Sequence, residues 1–315
     1  MAARQAATPW IPDVAAARAY ADRRPGTISF VVAQGARTWS SHGARTVPAA
    51  SLMKTMFLVA HLRSGGVRGR ALRAADRRLL DPMIRRSDDL AATRVRGLVG
   101  DARLRRLGRA ARMRDLRLAA VWGLSRTSAR DQVALFRRLD DLVPARHRAY
   151  ARRLLETIVP SQRWGVGAVD LPAGWTLRFK GGWGSGTGAV DHQSALLVGE
   201  DGRRVVLSIT TTRNRSHAGG KETLRGVAAR LLRGLPAASA TPADPGRRAA
   251  SGARGPRRTL EGAASPARGL RRAPAADAGR CRAYRPGGWT TVKPLLLRRS
   301  GCQRLPKTPE RPLVS

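Results

Sequence analysis

Ser194-Ala195-Leu196-Leu197-Val198-Gly199-Glu200-Asp201-Gly202-Arg203-Arg204-Val205-Val206-Leu207-Ser208-Ile209-Thr210 reads as two strands, Ser194 to Gly199 and Arg204 to Thr210, joined by the turn Glu200-Asp201-Gly202. Strands so close in sequence favour antiparallel pairing. Upstream, Trp175 to Lys180 reads as a third strand. Downstream, Lys221 to Leu235 reads as a helix, because Leu224, Val227, Ala228, Leu231, Leu232 and Leu235 form one apolar stripe. The other end of the domain supplies a second group of strands. Thr27 to Ala33 is β-branched and aromatic, bounded by Pro25-Gly26 and Gly35, with Arg37 to Ser41 as its hairpin partner. Asp13 to Arg24 is an Ala-rich helix, and Ser51 to Arg63 a helix apolar at Met53, Met56, Phe57, Ala60 and Leu62. Arg-rich helices fill Ala71 to Arg153. The predicted class is α+β: a five-stranded antiparallel sheet assembled from both ends of the domain, packed by the terminal helices, with an all-helical subdomain inserted.

The folded domain is expected over residues 12–235, after a flexible N-terminus at 1–11. From Pro236 the chain alternates Ala, Pro, Gly and Arg, with 17 basic and 4 acidic residues beyond that point, a net of +13 (17 − 4). Such a stretch buries too little apolar surface to offset its ordering entropy, so residues 236–315 read as a basic, disordered tail.

The formal charge of +39 comes from 60 basic and 21 acidic residues, yet only five of the 60 are lysines: Lys54, Lys180, Lys221, Lys293 and Lys307. Arg replaces Lys on most surfaces, so a lysine that persists marks a place where an amine able to lose its proton is needed. Cys281 and Cys302 lie near the C-terminus, leaving the body without a disulfide or a cysteine metal site. No His, Cys or carboxylate cluster has metal-ligand spacing, and no phosphate-binding glycine loop precedes a helix, so neither metal nor cofactor is expected. No apolar run approaches the roughly 20 residues that cross a bilayer, and Met1 to Pro12 has no signal-like apolar stretch.

Three short pieces carry chemistry. Ser51-Leu52-Met53-Lys54 opens a helix, so hydroxyl and amine share one face, a turn apart. Serine needs a neighbouring base, and lysine can be one only if burial or nearby positive charge lowers its pKa. Ser87-Asp88-Asp89 follows Arg85-Arg86 and also suits a helix N-cap with acidic first-turn residues. Phe179-Lys180-Gly181-Gly182-Trp183-Gly184-Ser185-Gly186 brings a lysine to the end of a strand, followed by glycines that let a ligand backbone approach.

In order and spacing the three resemble the Ser-x-x-Lys, Ser-Asp-Asn and Lys-Thr-Gly set of class A β-lactamases and penicillin-binding proteins. The resemblance spans Trp10 to Leu235 and includes Val47-Pro48-Ala49-Ala50, Thr127-Ser128-Ala129-Arg130-Asp131 and Leu171-Pro172-Ala173-Gly174-Trp175. It implies that Ser51 attacks a lactam or peptide carbonyl, Lys54 takes its proton, Ser87 relays a proton to the departing nitrogen and Lys180 fixes the substrate carboxylate. It also implies an oxyanion hole from the backbone N–H groups of Ser51 and Trp183, with Asp89, Gly181 and Gly182 lining the substrate site. The family works outside the cytoplasmic membrane, whereas no export signal is visible here.

Three departures stand out. Asp89 replaces the usual Asn, and Gly181 the usual Thr or Ser. Class A β-lactamases activate the deacylating water with a glutamate between the second and third motifs. Here Asp101 to Asp131 contains no Glu, the stretch Met113 to Thr127 is short for that loop, and Asp115 and Glu156 are the available carboxylates. The expected function is a monomeric serine hydrolase of the class A β-lactamase-like type, acylated on Ser51 by a small β-lactam or related cell-wall amide and then hydrolysed. The alternatives are a D,D-peptidase or slowly deacylating penicillin-binding protein, an acyl-binding pseudoenzyme, and a non-enzymatic polyanion binder motivated by the charge. The arginines are spread along the whole chain without a nucleic-acid motif, so no specific nucleic-acid partner is expected. His192 reads as structural, or as a residue of the cleft; His217 reads as structural or solvent-facing, Trp164 as core and Trp183 as cleft wall.

Overall fold

The computed structural model describes residues 10–238; the expected N-terminal and C-terminal tails, with both cysteines, fall almost wholly outside the described residues. Asp13 caps α1 (Val14–Asp22), accepting from Ala16 N at 2.9 Å. The hairpin β1 (Thr27–Gln34) and β2 (Arg37–Ser41) follows, then a short strand β3 (Thr46–Pro48) and a 3-10 turn at Ala50–Leu52. The helical block runs through α2 (Met53–Leu62), α3 (Gly65–Arg68), α4 (Ala74–Arg85) and α5 (Asp89–Ala110), the last broken at Gly100, where φ is +72°. After β4 (Arg126–Ser128) come α6 (Ala129–Arg137), α7 (Leu139–Leu142) and α8 (Ala145–Glu156). The chain closes with β5 (Trp175–Gly184), β6 (Val190–Gly199), β7 (Arg204–Thr212) and α9 (His217–Leu231).

The main sheet is five-stranded and antiparallel, ordered β2-β1-β7-β6-β5, so strands from both ends of the domain meet at β1 and β7. Alternation along each strand divides its faces. Phe30, Ile209 and Val32, Leu207 pair on the face that packs, with Ala17, Ala21, Leu224, Val227 and Leu231, into the main core of α1 and α9. Val31, Ala33, Leu196 and Val206 lie on the other face against Ala129, Val133 and Phe136 of α6. That second face also carries a polar row. Lys180 pairs with Ser194 and Ser194 with Ser208, whose hydroxyls are 2.9 Å apart. All ten residues of α2 are buried, so it is the core helix of the inserted block rather than an amphipathic one with a single apolar face.

Several boundaries differ from those expected. Trp10 and Ala238, outside the expected edges, are tied down: Trp10 Nε1 donates to Arg233 O at 3.0 Å and Ala238 N to Ala173 O at 2.9 Å. Domain edges at 12 and 235 therefore clip residues that are tied down by hydrogen bonds. β5 continues past the expected end at Lys180 through Gly181, Gly182 and Trp183 to Gly184, because β6 begins at Val190 and supplies partners. Helix α9 begins at His217, before Lys221, under a Ser216 cap. The small ladder β3–β4 has no signature in the sequence: three residues a side are too short to show alternation.

Candidate active site

β3 and its ladder partner β4 deliver Ser51. Ala49 N donates to Ser125 O at 2.7 Å, and Ala50 then takes a left-handed φ of +44° that turns the chain into the 3-10 turn and α2. Such a conformation costs a non-glycine residue about 1–3 kcal/mol and persists only where surrounding structure enforces it. Ser87 is in the same region, at φ +57°, immediately before Asp88 caps α5 by accepting from Ala91 N at 2.7 Å. Both candidate serines thus sit at or next to strained backbone. The reading of Ser87-Asp88-Asp89 as a helix start holds, with Asp88 as the cap and Asp89 in the first turn.

The start of α2 is pressed against β5. A Cβ added to Gly182 would lie 2.9 Å from Leu52 N and 3.0 Å from Ser51 N; one on Gly181 would meet the Trp164 ring at 3.2 Å. The sequence suggests ligand approach at these glycines. The close approach is instead made by the protein's own chain, which brings the β5 backbone beside the N–H of Ser51.

Four side chains from three elements converge there. Lys54 Nζ donates to the backbone O of Ser87, to Ser87 Oγ at 3.0 Å and to Asp89 Oδ1 at 2.5 Å. Lys180 Nζ lies 2.9 Å from the same Ser87 Oγ and donates to Gly181 O at 2.6 Å. Both lysines are fully buried, whereas 63% of the Asp89 side chain is exposed. Burial holds the Lys54 amine below the ordinary lysine range, and the Asp89 carboxylate opposes that shift. The Lys180 amine is held well below it, first by burial and then by the neighbouring Lys54 charge. Ser51, 8% exposed, stands one turn before Lys54. Among the described residues the Lys54 amine binds Ser87 and Asp89 and not the Ser51 hydroxyl.

The carboxylates considered for water activation are engaged elsewhere. Asp115 accepts from Ser128 Oγ at 2.6 Å and from Arg130 at 2.7 Å; Glu156 accepts from Arg178 Nε at 2.7 Å. In the short segment before β4, a tryptophan roofs the amine instead. Trp122 lies with its ring centre 5.3 Å from Lys54 Nζ, edge-on to Phe57 at 5.7 Å, and its Nε1 donates to Thr93 Oγ1 at 3.1 Å. Nothing in the spacing of Trp122 announces this, because its position depends on how the shortened segment folds over α2.

The other wall is aromatic. Trp183 stacks on His217 at 5.6 Å and meets Trp164 edge-on at 5.6 Å. His217 Nδ1 is 2.5 Å from Oδ1 of buried Asp191, which Asn214 Nδ2 also reaches at 2.7 Å. The absence of a side chain at Gly220 lets α9 lie against Asp191, since a Cβ there would fall 1.9 Å from Oδ2. Burial raises the Asp191 carboxyl above the usual range, with His217 opposing. His192 is structural: Nδ1 accepts from Thr211 N at 3.1 Å, so Nε2 donates to Pro48 O at 2.9 Å and pins β3 to β6 just before Ser51. Burial lowers its pKa to about 4.

Among the described residues no helix is long and apolar enough to cross a membrane, and no group of three His, Cys, Asp or Glu side chains could hold a metal. A sequence profile described as the beta-lactamase enzyme family matches residues 68–235, which include Ser87 and Lys180. No curated protein sequence matches the chain. Solved structures share the fold. A beta-lactamase from Sphaerobacter thermophilus is 20% identical, with a TM-score of 0.62 over 71% of this chain and 97% of that one. The class A beta-lactamase from Mycobacterium abscessus is 18% identical, TM-score 0.61, covering 71% and 99%. A point mutant of PBP-A, determined as its acyl-enzyme complex with penicillin G, is 19% identical, TM-score 0.59, covering 72% and 98%. The chain therefore belongs to the beta-lactamase enzyme family, with the fold that class A β-lactamases and PBP-A share.

Proposed function

We propose that the protein forms an acyl-enzyme on Ser51 with β-lactams or related cell-wall amides and releases the acyl group slowly. The observation that carries this reading is the sharing of Ser87 Oγ by the Lys54 and Lys180 amines, at 3.0 and 2.9 Å, with Lys54 one helical turn from Ser51. Two amines shifted down by burial make proton transfer from a serine possible at neutral pH, which an ordinary surface lysine does not. Ser51 Oγ attacks the carbonyl, and its proton reaches the departing nitrogen through Ser87. The N–H groups of Ser51 and Trp183 receive the developing oxyanion, where one such donor contributes about 3 kcal/mol.

Slow release follows from the carboxylates. Asp115 and Glu156 are bound to Ser128, Arg130 and Arg178, while Asp89 is ion-paired with Lys54. Structures of this fold include β-lactamases and a PBP-A mutant held as its penicillin G acyl-enzyme, so the fold is compatible with either rate of release. Intact-mass analysis during incubation with penicillin G tests it. The expected result is one added penicillin, absent in Ser51→Ala and persisting well after free penicillin is removed. Absence of the adduct would sink the proposal; rapid decay, with hydrolysis of a chromogenic cephalosporin, would instead identify a β-lactamase.

A further inference from the structure

We infer that Lys180, acting through Ser87, is the proton acceptor in this site, and that Asp89 holds Lys54 as a permanent ammonium. The inference rests on the acylation reading above and reverses the roles the motif resemblance assigns to the two lysines. It follows from donor and acceptor accounting. An ammonium has three N–H donors and no acceptor, whereas a neutral amine has two donors and one lone pair. Lys54 Nζ faces three acceptors, the Ser87 carbonyl, Ser87 Oγ and Asp89 Oδ1, which fit three N–H bonds. Lys180 Nζ faces the Gly181 carbonyl and Ser87 Oγ. Ser87 Oγ already accepts from Lys54, so its own hydrogen is free to point to Lys180 and end on a lone pair. One chain of bonds then runs from the ammonium through the hydroxyl to a neutral amine.

Charge agrees with this direction. The groups facing Lys180 are Lys54 on α2 and Asp89 in the first turn of α5, and Asp89 binds Lys54. Asp88 also acts on Lys54 and favours its charge. Two buried cations beside one half-committed carboxylate repel, and the uncharged member is the one with no carboxylate bonded to it.

The proton path balances. As the Ser51 Oγ–acyl bond forms, the Ser51 proton passes to Ser87 Oγ while the Ser87 proton passes to Lys180 Nζ. When the acyl C–N bond breaks, Ser87 gives its proton to the leaving nitrogen and recovers one from Lys180. The Lys54 ammonium, a turn from Ser51, stabilises the developing alkoxide and loses no proton. Ser51 makes no such bond to Ser87 in the free protein, and catalytic hydrogen bonds commonly tighten only with substrate bound.

The scarcity of lysine makes the test clean. In a Lys221→Arg, Lys293→Arg, Lys307→Arg protein labelled with ¹³Cε-lysine, only the two site lysines give signals. The Trp122 ring, 5.3 Å from Lys54 Nζ, shifts the Lys54 signal, and Trp122→Leu identifies it by removing that shift. At pH 7.5 the expected pattern is a neutral-amine signal for Lys180 and an ammonium signal for Lys54. Any other pattern overturns the assignment. Asp89→Asn is expected to exchange the two. A second arm uses arginine, which cannot give up its proton. Lys180→Arg should slow penicillin acylation at least ~100-fold, the scale of a lost general base, and by more than Lys54→Arg does. The reverse ranking restores Lys54 as the base. If the parent protein acquires no acyl group, the Ser51 reading fails while the NMR pattern still decides which amine is charged.

Discussion

Two buried charge clusters in this fold are built in opposite ways. Around Asp76, one carboxylate receives Arg70 at 2.7 Å, the Arg73 backbone N–H at 2.8 Å and His61 at 3.2 Å. Those donors hold its carboxyl well below the ordinary range. Every group is satisfied, and the cluster ties α2 to the start of α4. Around Ser87, two fully buried amines share one hydroxyl, and only one of them, Lys54, reaches a carboxylate, the largely exposed Asp89. Donors lower the carboxyl in the first cluster against the effect of burial, whereas burial itself lowers both amines in the second. A compensated cluster holds structure; an undercompensated one, kept together by the rest of the fold, is where proton transfer is available.

The contrast can be broken from either side. The largest effect is expected from Ser87→Ala, which removes the hydroxyl both amines use. Penicillin labelling should slow by about 10²–10³-fold, the scale of a lost proton relay, with urea unfolding little changed. Acid should act on structure next. His192 has a folded pKa of about 4 against 6.5 unfolded, so the unfolded chain binds more protons between those values. Stability should therefore fall by about 3 kcal/mol as pH drops from 6.5 to 4, and the slope should vanish in His192→Asn. Asp76, whose pKa is depressed, contributes stability that is present above the ordinary carboxylate range and is lost only at still lower pH. Asp76→Ala should cost about 2–3 kcal/mol in urea unfolding and leave the labelling rate unchanged, since it strands Arg70 and His61 far from Ser87. The smallest effect on stability belongs to Asp89→Asn, under about 1 kcal/mol because the carboxylate is mostly solvated. Its signature is instead a displaced pH profile of labelling. A large stability loss there would show that the Lys54–Asp89 pair is structural, like the pair at Asp76.

Much of this was readable from residue order. The β-branched runs of β1, β6 and β7 and the short turns between strands pointed to an antiparallel sheet shared by both ends of the domain, and the stripe from Leu224 to Leu231 to its covering helix. Lys54 and Lys180 stood out because arginine had taken nearly every other basic position. Readings failed where long-range contacts decide. Gly181 and Gly182 read as lying beyond the strand and open to a ligand, but β6 pairs with them, and Trp164 and the start of α2 occupy the space their side chains would need. Trp122 and His217 carried no pattern, since an aromatic wall is defined by neighbours distant in sequence.

The chain by itself therefore determined the five main strands, the terminal helices and the inventory of serines and lysines, because residue propensity, periodicity and chemistry are local properties. Tertiary structure alone decided that Ser87 Oγ bridges two amines, that Asp89 reaches Lys54 and that Asp115 and Glu156 are held by arginines elsewhere. Proton affinity is set by burial and by charges a few ångströms away, and neither distance nor burial is written in the spacing of letters.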